Sequence, residues 1–83
     1  MNKYQVRVIL PFLEKSYEVL LPINKKIGTV RKYIIVAVAN LLEISPEELQ
    51  SYNLINAESG NVYDYNQYVK DSDIENGTDL LLL

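Results

Sequence analysis

The chain is 83 residues long, 48% hydrophobic and 23% charged, with a formal net charge of −3. That length allows one domain whose small core buries roughly 60–65% of the unfolded surface, and the apolar content is too high for a disordered chain. With no cysteine and no histidine, disulfides, thiolate metal sites and the commonest general base are excluded, and a reducing cytoplasm is the expected compartment.

Residues 4–10 (YQVRVIL) alternate with period two, which predicts a half-buried strand with Tyr4, Val6, Val8 and Leu10 inward and Gln5, Arg7 and Ile9 outward. PFLEK (residues 11–15) breaks the period. Residues 16–22 resume it with Tyr17, Val19 and Leu21 inward, so the two runs make a hairpin whose second strand ends at Pro22 and lies at a sheet edge. Residues 29–43 carry the period of a helix, with Thr29 as its cap, Val30, Ile34, Ala37, Val38 and Leu41 on the core stripe and Tyr33 beside it. Ile35, Ala39 and Leu42 fall on the other side, with Val36 on a flank, so the helix is apolar nearly all round. Either the long segment 66–76 covers that second stripe, or a partner or second copy does.

Ser45, Pro46 and Glu48 form a capping box that opens a short helical turn. Residues 52–57 and 62–65 predict a second hairpin about the turn ESGN, with Gly60 at positive φ. Residues 66–76 are polar and irregular, and TDLLLL (residues 78–83) is the last strand.

Charge is distributed unevenly. Residues 1–42 hold seven basic and two acidic side chains (+5), and residues 43–83 hold one basic and nine acidic (−8). The halves are expected to neutralise one another across one surface, the alternative being a bipolar molecule that orients on a charged partner. Lys25, Lys26, Arg31 and Lys32 gather at the helix start, where they either meet the acidic half or dock on an acidic partner or anionic lipid. Bulk nucleic-acid binding needs a basic excess that is missing. No run approaches the 18 apolar residues of a membrane span, and the start alternates instead of forming a signal peptide.

Catalytic signals are weak. Five serines lack an evident base, and Asp71, Asp73 and Glu75 fail the calcium-loop pattern, which needs a glycine one residue before Gly77 and a glutamate where Leu82 stands. Neither an enzyme nor a cofactor is expected. The tyrosines read as amphipathic packing residues.

One long helix after an opening hairpin, followed by a lone closing strand, is the element order of the β-grasp. The expectation is one α+β domain over residues 1–83, a mixed five-stranded sheet in the order 2-1-5-3-4 with the helix across one face. On that order, and on IENGTDLLLL (residues 74–83), the chain resembles ubiquitin-like domains. Its short loop, lack of an N-terminal extension and abrupt terminal strand resemble the YukD/EsaB family, small ubiquitin-like proteins of the type VII secretion systems of Gram-positive bacteria.

The resemblance implies that the last strand is central and parallel to the first, with Leu80 and Leu82 inward and Leu81 and Leu83 outward. Conjugating and sulfur-carrier relatives continue into a flexible Gly-Gly tail, whereas Leu83 belongs to the sheet, so neither activity is expected unless the chain extends further. What remains is a protein-interaction module, a cytosolic accessory or regulator of a type VII (WXG100/ESX-like) apparatus whose partners are secretion-machinery subunits. The expected recognition face of the sheet comprises Ile9, Ile55, Leu81 and Leu83. Ile35 and Leu42 form a second candidate surface suited to a homodimeric module. A sulfur-carrier protein lacking its tail is the alternative from another class.

Overall fold

The computed structural model describes residues 2–83. Strand β1 (Lys3–Leu10) pairs antiparallel with β2 (Lys15–Pro22) along all eight residues of each. A 3-10 turn at Pro11–Leu13 and a left-handed Glu14 (φ 53°) reverse the chain between them. Helix α1 (Ile27–Leu42) follows, then the capped 3-10 turn Pro46–Leu49, β3 (Leu54–Asn56), a 3-10 turn at Val69–Asp71 and β4 (Asp79–Leu82). β4 runs parallel to β1 and antiparallel to β3, giving the order β2-β1-β4-β3.

The closing strand therefore lies inside the sheet, with Leu80 opposite Val8 on one side and Asn56 on the other. Its pairing with the β3 side extends one step further, since Asn53 and Leu83 exchange backbone hydrogen bonds of 2.8 and 3.0 Å. Leu80 and Leu82 are fully buried in one core with Val6, Val8, Leu10, Leu54 and Ile34. The inward parity of β1 and β4 matches the sequence expectation, and β2 sits at the edge where Pro22 predicts it.

The sheet has four strands where five were expected, so the order 2-1-5-3-4 gives way to the four-strand order above. Residues 62–65 contribute only one bridge, Val62 to Ile55. Asn56 Oδ1 accepts the N–H groups of Glu58 and Ser59, Gly60 turns at φ 76°, and the chain touches β3 once at Val62. Tyr63 then dives into the core, 5% exposed, and Asp64 starts another turn by accepting the Asn66 N–H. Satisfying the turn and burying Tyr63 take the backbone away from the ladder.

The helix also departs from expectation at its start. It begins at Ile27 with Lys26 at the cap and no side-chain cap bond, so Thr29 is not its cap. The first amides are met by distant backbone: Ile27 N–H donates to Gln67 O (2.8 Å) and Gly28 N–H to Tyr65 O (2.9 Å). Gly28 permits that approach, since a Cβ there would stand 3.1 Å from both the Tyr65 Cβ and its carbonyl oxygen. Val69 N–H donates to Lys25 O and Lys70 N–H to Ile23 O, and Val69 and Ile74 pin the segment to the core. Residues 65–70 thus run past the helix start and leave its outer face uncovered.

The buried arc of α1 is rotated from the expected stripe. Val30, Ile34 and Val38 are buried as expected, but Ala37 and Leu41 are exposed, Leu41 to 62%. Ile35 and Ala39 are fully buried and Leu42 is partly so; these residues are core, not a docking stripe. The cause is a second covering element. The turn Pro46–Leu49 packs against α1, and Arg31 fastens the residues after it. Arg31 Nε donates to Tyr52 O at 3.0 Å, and Nη2 donates to Tyr52 O at 2.6 Å and to Gln50 O, with the guanidinium 5.1 Å from the Tyr65 ring centroid. The capping box holds that turn, Ser45 N–H donating to Glu48 Oε2 at 3.1 Å and Glu47 N–H to Ser45 Oγ at 3.4 Å.

Leu82→Ala removes a fully buried side chain and is expected to cost about 2–5 kcal/mol in urea unfolding. Leu83→Ala, one residue on and half exposed, is expected to change stability by less than about 0.5 kcal/mol. Arg31→Lys loses the fork that spans two carbonyls, and a loss of about 1–3 kcal/mol is expected by the same measurement.

Candidate functional site

The outward face of the sheet carries one apolar row that crosses three elements in register. Ile9 of β1 stands opposite Leu81 of β4, Leu81 opposite Ile55 of β3, and Ile55 opposite Val62 across the bridge. Residues paired across strands project to the same face, so the four side chains form a continuous line. Leu83 lies two residues beyond Leu81 on that face. Ile9, Ile55 and Leu81 shield one another to partial burial, while Val62 and Leu83 are 58% and 51% exposed.

The neighbouring row is polar. Arg7 sits between Glu18 and Asp79 by register and forms a two-point ion pair with Asp79, Nε to Oδ1 at 3.1 Å and Nη2 to Oδ2 at 2.8 Å. The Asp79 hydrogen bond and charge raise the Arg7 pKa above the ordinary arginine value. An apolar strip bordered on one side by ion-paired groups is the anatomy of a binding face, with a greasy centre and a polar rim.

Of the candidate residues read from sequence, the structure brings Ile9, Ile55, Leu81 and Leu83 together and puts Ile35 and Leu42 elsewhere, in or against the core. Sequence reasoning missed Val62 as a fifth member. Its signal was present: a residue that pairs with Ile55 across a hairpin shares its face.

The basic cluster is divided. Arg31 is 8% exposed and engaged by carbonyls, leaving Lys25, Lys26 and Lys32 at the surface. The leading helix amides donate to Gln67 and Tyr65, so they present no cradle to an anion.

A polar cavity of about 430 Å³ opens between the turn after β3 and the loop before β4, lined by Asn56, Glu58, Asp73, Glu75 and Asp79 among others. Two of its lining residues are joined through Tyr63: Asn56 Nδ2 donates to the Tyr63 hydroxyl at 3.2 Å, and that hydroxyl donates to Asp73 Oδ1. Burial first, and the Asp73 hydrogen bond second, push the Tyr63 phenol well above its ordinary value of 10.0. The network is internally satisfied and ties residues 56, 63 and 73 together. Among the described residues no three of His, Cys, Asp and Glu converge as a metal set.

No family model and no curated protein matches the chain. Solved structures do. The ubiquitin-like domain of EccD5 from Mycobacterium xenopi aligns over 100% of this chain and 94% of its own, with a TM-score of 0.77 and 16% identity. The ubiquitin-like domain of the type VII secretion protein EccD1 from Mycobacterium tuberculosis aligns over 100% and 99%, at 0.77 and 13%. A chain of the MycP5-free ESX-5 inner membrane complex aligns at 0.77 and 17%, and this chain spans 21% of its length. Likeness at these identities shows the ubiquitin-like fold.

The raised Tyr63 pKa has a definite sign in stability. The folded state holds the phenolic proton that the unfolded state releases, so the contribution is complete below about pH 10 and is lost as pH rises toward the folded-state pKa. Urea midpoints measured between pH 8 and 11.5 are expected to fall at the alkaline end, and Tyr63→Phe to flatten that fall while lowering stability at pH 8 by about 1–2 kcal/mol.

Proposed function

We propose that this chain is a non-enzymatic, non-conjugated protein-interaction module of a type VII secretion system, of the YukD/EsaB kind, working in the cytoplasm. The observation that carries this reading is the in-register apolar row Ile9–Leu81–Ile55–Val62 on a sheet face that the chain leaves open. The fold likeness to ubiquitin-like domains of secretion proteins supports the choice of pathway. Fold alone does not carry function, so the weight rests on the face. An apolar centre of that kind is suited to an anchor side chain from a subunit of the apparatus, and the Arg7–Asp79 pair at its margin favours one orientation of the partner over another. In this reading the partners are cytoplasmic parts of secretion-machinery subunits.

The test uses purified cytoplasmic domains of type VII secretion subunits from the organism that encodes this chain, with affinity measured by calorimetry. Leu81→Asp and Val62→Asp are expected to retain the far-ultraviolet circular dichroism of the parent and to weaken binding by roughly 30-fold or more, the effect of losing about 2 kcal/mol at an interface centre. Unchanged affinity for both variants rejects the face. Loss of the folded spectrum in both shows that these side chains are core.

A further inference from the structure

The hairpin tip, the end of α1 and the turn that follows it line an apolar groove of about 270 Å³. Phe12 and Leu13 come from the tip, Leu42 and Ile44 from the helix end, and Leu49 and Tyr52 from the turn and the residues after it. Leu49 is buried, whereas Phe12 and Leu13 are 49% and 39% exposed. The tip is held in shape: Glu14 N–H donates to Pro11 O at 3.1 Å, and the Phe12 ring meets Tyr52 edge-on at 5.1 Å between centroids. Two large apolar side chains are thus fixed while open to solvent. The groove falls just below the roughly 300–1,000 Å³ of small-molecule pockets, a size suited to one anchor side chain.

The charge around it has one sign. Residues 11–15 and 42–53, which supply every lining residue, carry Glu14, Glu43, Glu47 and Glu48 against the single base Lys15. All four carboxylate residues are exposed, and Glu48 itself lines the groove. Among the described residues the one ion pair is Arg7–Asp79, so no base within the fold neutralises them. The helix adds to the same potential. A helix C-terminus is the negative end of its dipole and is ordinarily matched by Lys or Arg. The last turn of α1 has no basic residue, and its cap is Glu43. An acidic cap on an unneutralised helix end is unfavourable for the isolated chain, and a cation brought to the groove relieves it.

We infer that this groove docks a segment of another protein that presents an apolar anchor side chain flanked by Lys or Arg. Charge complementarity selects that occupant. The same potential repels nucleic acid and anionic lipid, whose phosphates carry the wrong sign. One anchor and a few exposed ion pairs make weak contacts, so an isolated segment binds with a dissociation constant on the order of 0.1–1 mM. The groove shares no residue with the apolar row of the sheet, and its occupation leaves Leu81 and Val62 free for a different partner.

The test follows amide chemical shifts of the isotope-labelled chain during titration with three blocked hexapeptides, Lys-Lys-Leu-Leu-Lys-Lys, Glu-Glu-Leu-Leu-Glu-Glu and Lys-Lys-Ser-Ser-Lys-Lys. The first is expected to shift residues 12–14 and 42–49 and the other two to leave them in place. Raising sodium chloride from 50 to 500 mM is expected to weaken binding roughly 3-fold or more. Leu13→Ser, at a partly exposed site, is expected to weaken it roughly 5-fold or more with the fold intact. Glu43→Lys is expected to weaken binding and at the same time to raise the urea midpoint, because it repairs the helix end. Those opposite signs separate a lost contact from a lost fold. Absence of shifts at 5 mM of the first peptide overturns the inference, as does equal binding of the acidic peptide. Shifts confined to the sheet row and removed by Leu81→Asp but not by Leu13→Ser also overturn it, as does self-association of the parent chain through residues 12–14, which makes a second copy the occupant.

Discussion

β4 is hydrogen-bonded along both edges, to β1 in parallel and to β3 in antiparallel register. Most of the molecule depends on this placement. A strand with partners on both sides has no choice of register, because a slip of one residue would send Leu80 and Leu82 to solvent and Leu81 and Leu83 into the helix. Its alternate side chains accordingly divide into two roles: the inward pair anchors the core beneath α1, and the outward pair extends an apolar line begun by Ile9 and continued by Ile55. The leucine run that looks excessive for a chain this short is two half-runs, one for each face.

The second organising feature is the packing of α1 from two directions. The core holds Val30, Ile34, Ile35, Val38 and Ala39 of the helix, and the turn Pro46–Leu49 packs against α1 with Arg31 fastening the residues that follow it. An arginine used this way satisfies carbonyls that would otherwise be stranded at the end of a 3-10 turn, and no carboxylate partner is needed. The consequence is a core wide enough for 83 residues to hold and a helix back that stays bare.

Charge follows the same division of labour. The +5 and −8 halves do not interlock through a web of ion pairs; the one pair within 4 Å among the described residues is Arg7–Asp79. Its position beside the apolar row gives that face a polar border, and the remaining charges keep to the surface, with the acidic residues 73, 75 and 79 lining the cavity near the Tyr63 network. Screening limits what such exposed charges add to stability, so their larger effect is on which partner approaches and in what orientation.

Sequence alone determined the alternating strands β1 and β2, the outward side of Ile9, the edge position of β2 and the capped turn at Ser45, because each follows from a local period or a local hydrogen bond. A run of four leucines carries no period of its own, so the outward placement of Leu81, Leu83 and Ile55 rested on the resemblance to ubiquitin-like domains. The tertiary structure decided what depends on a distant neighbour. The helix cap stands three residues early, at Lys26 and not Thr29, because Tyr65 and Gln67 supply acceptors for its first amides, and the fifth strand shrinks to one bridge because Tyr63 is drawn inward. Ile35 and Leu42 exchange places with Leu41 and Tyr33 because the turn held by Arg31 covers a side of the helix that its own period leaves open. A period of 3.6 states which residues share a face, but only the element packed against that face states whether it is inside.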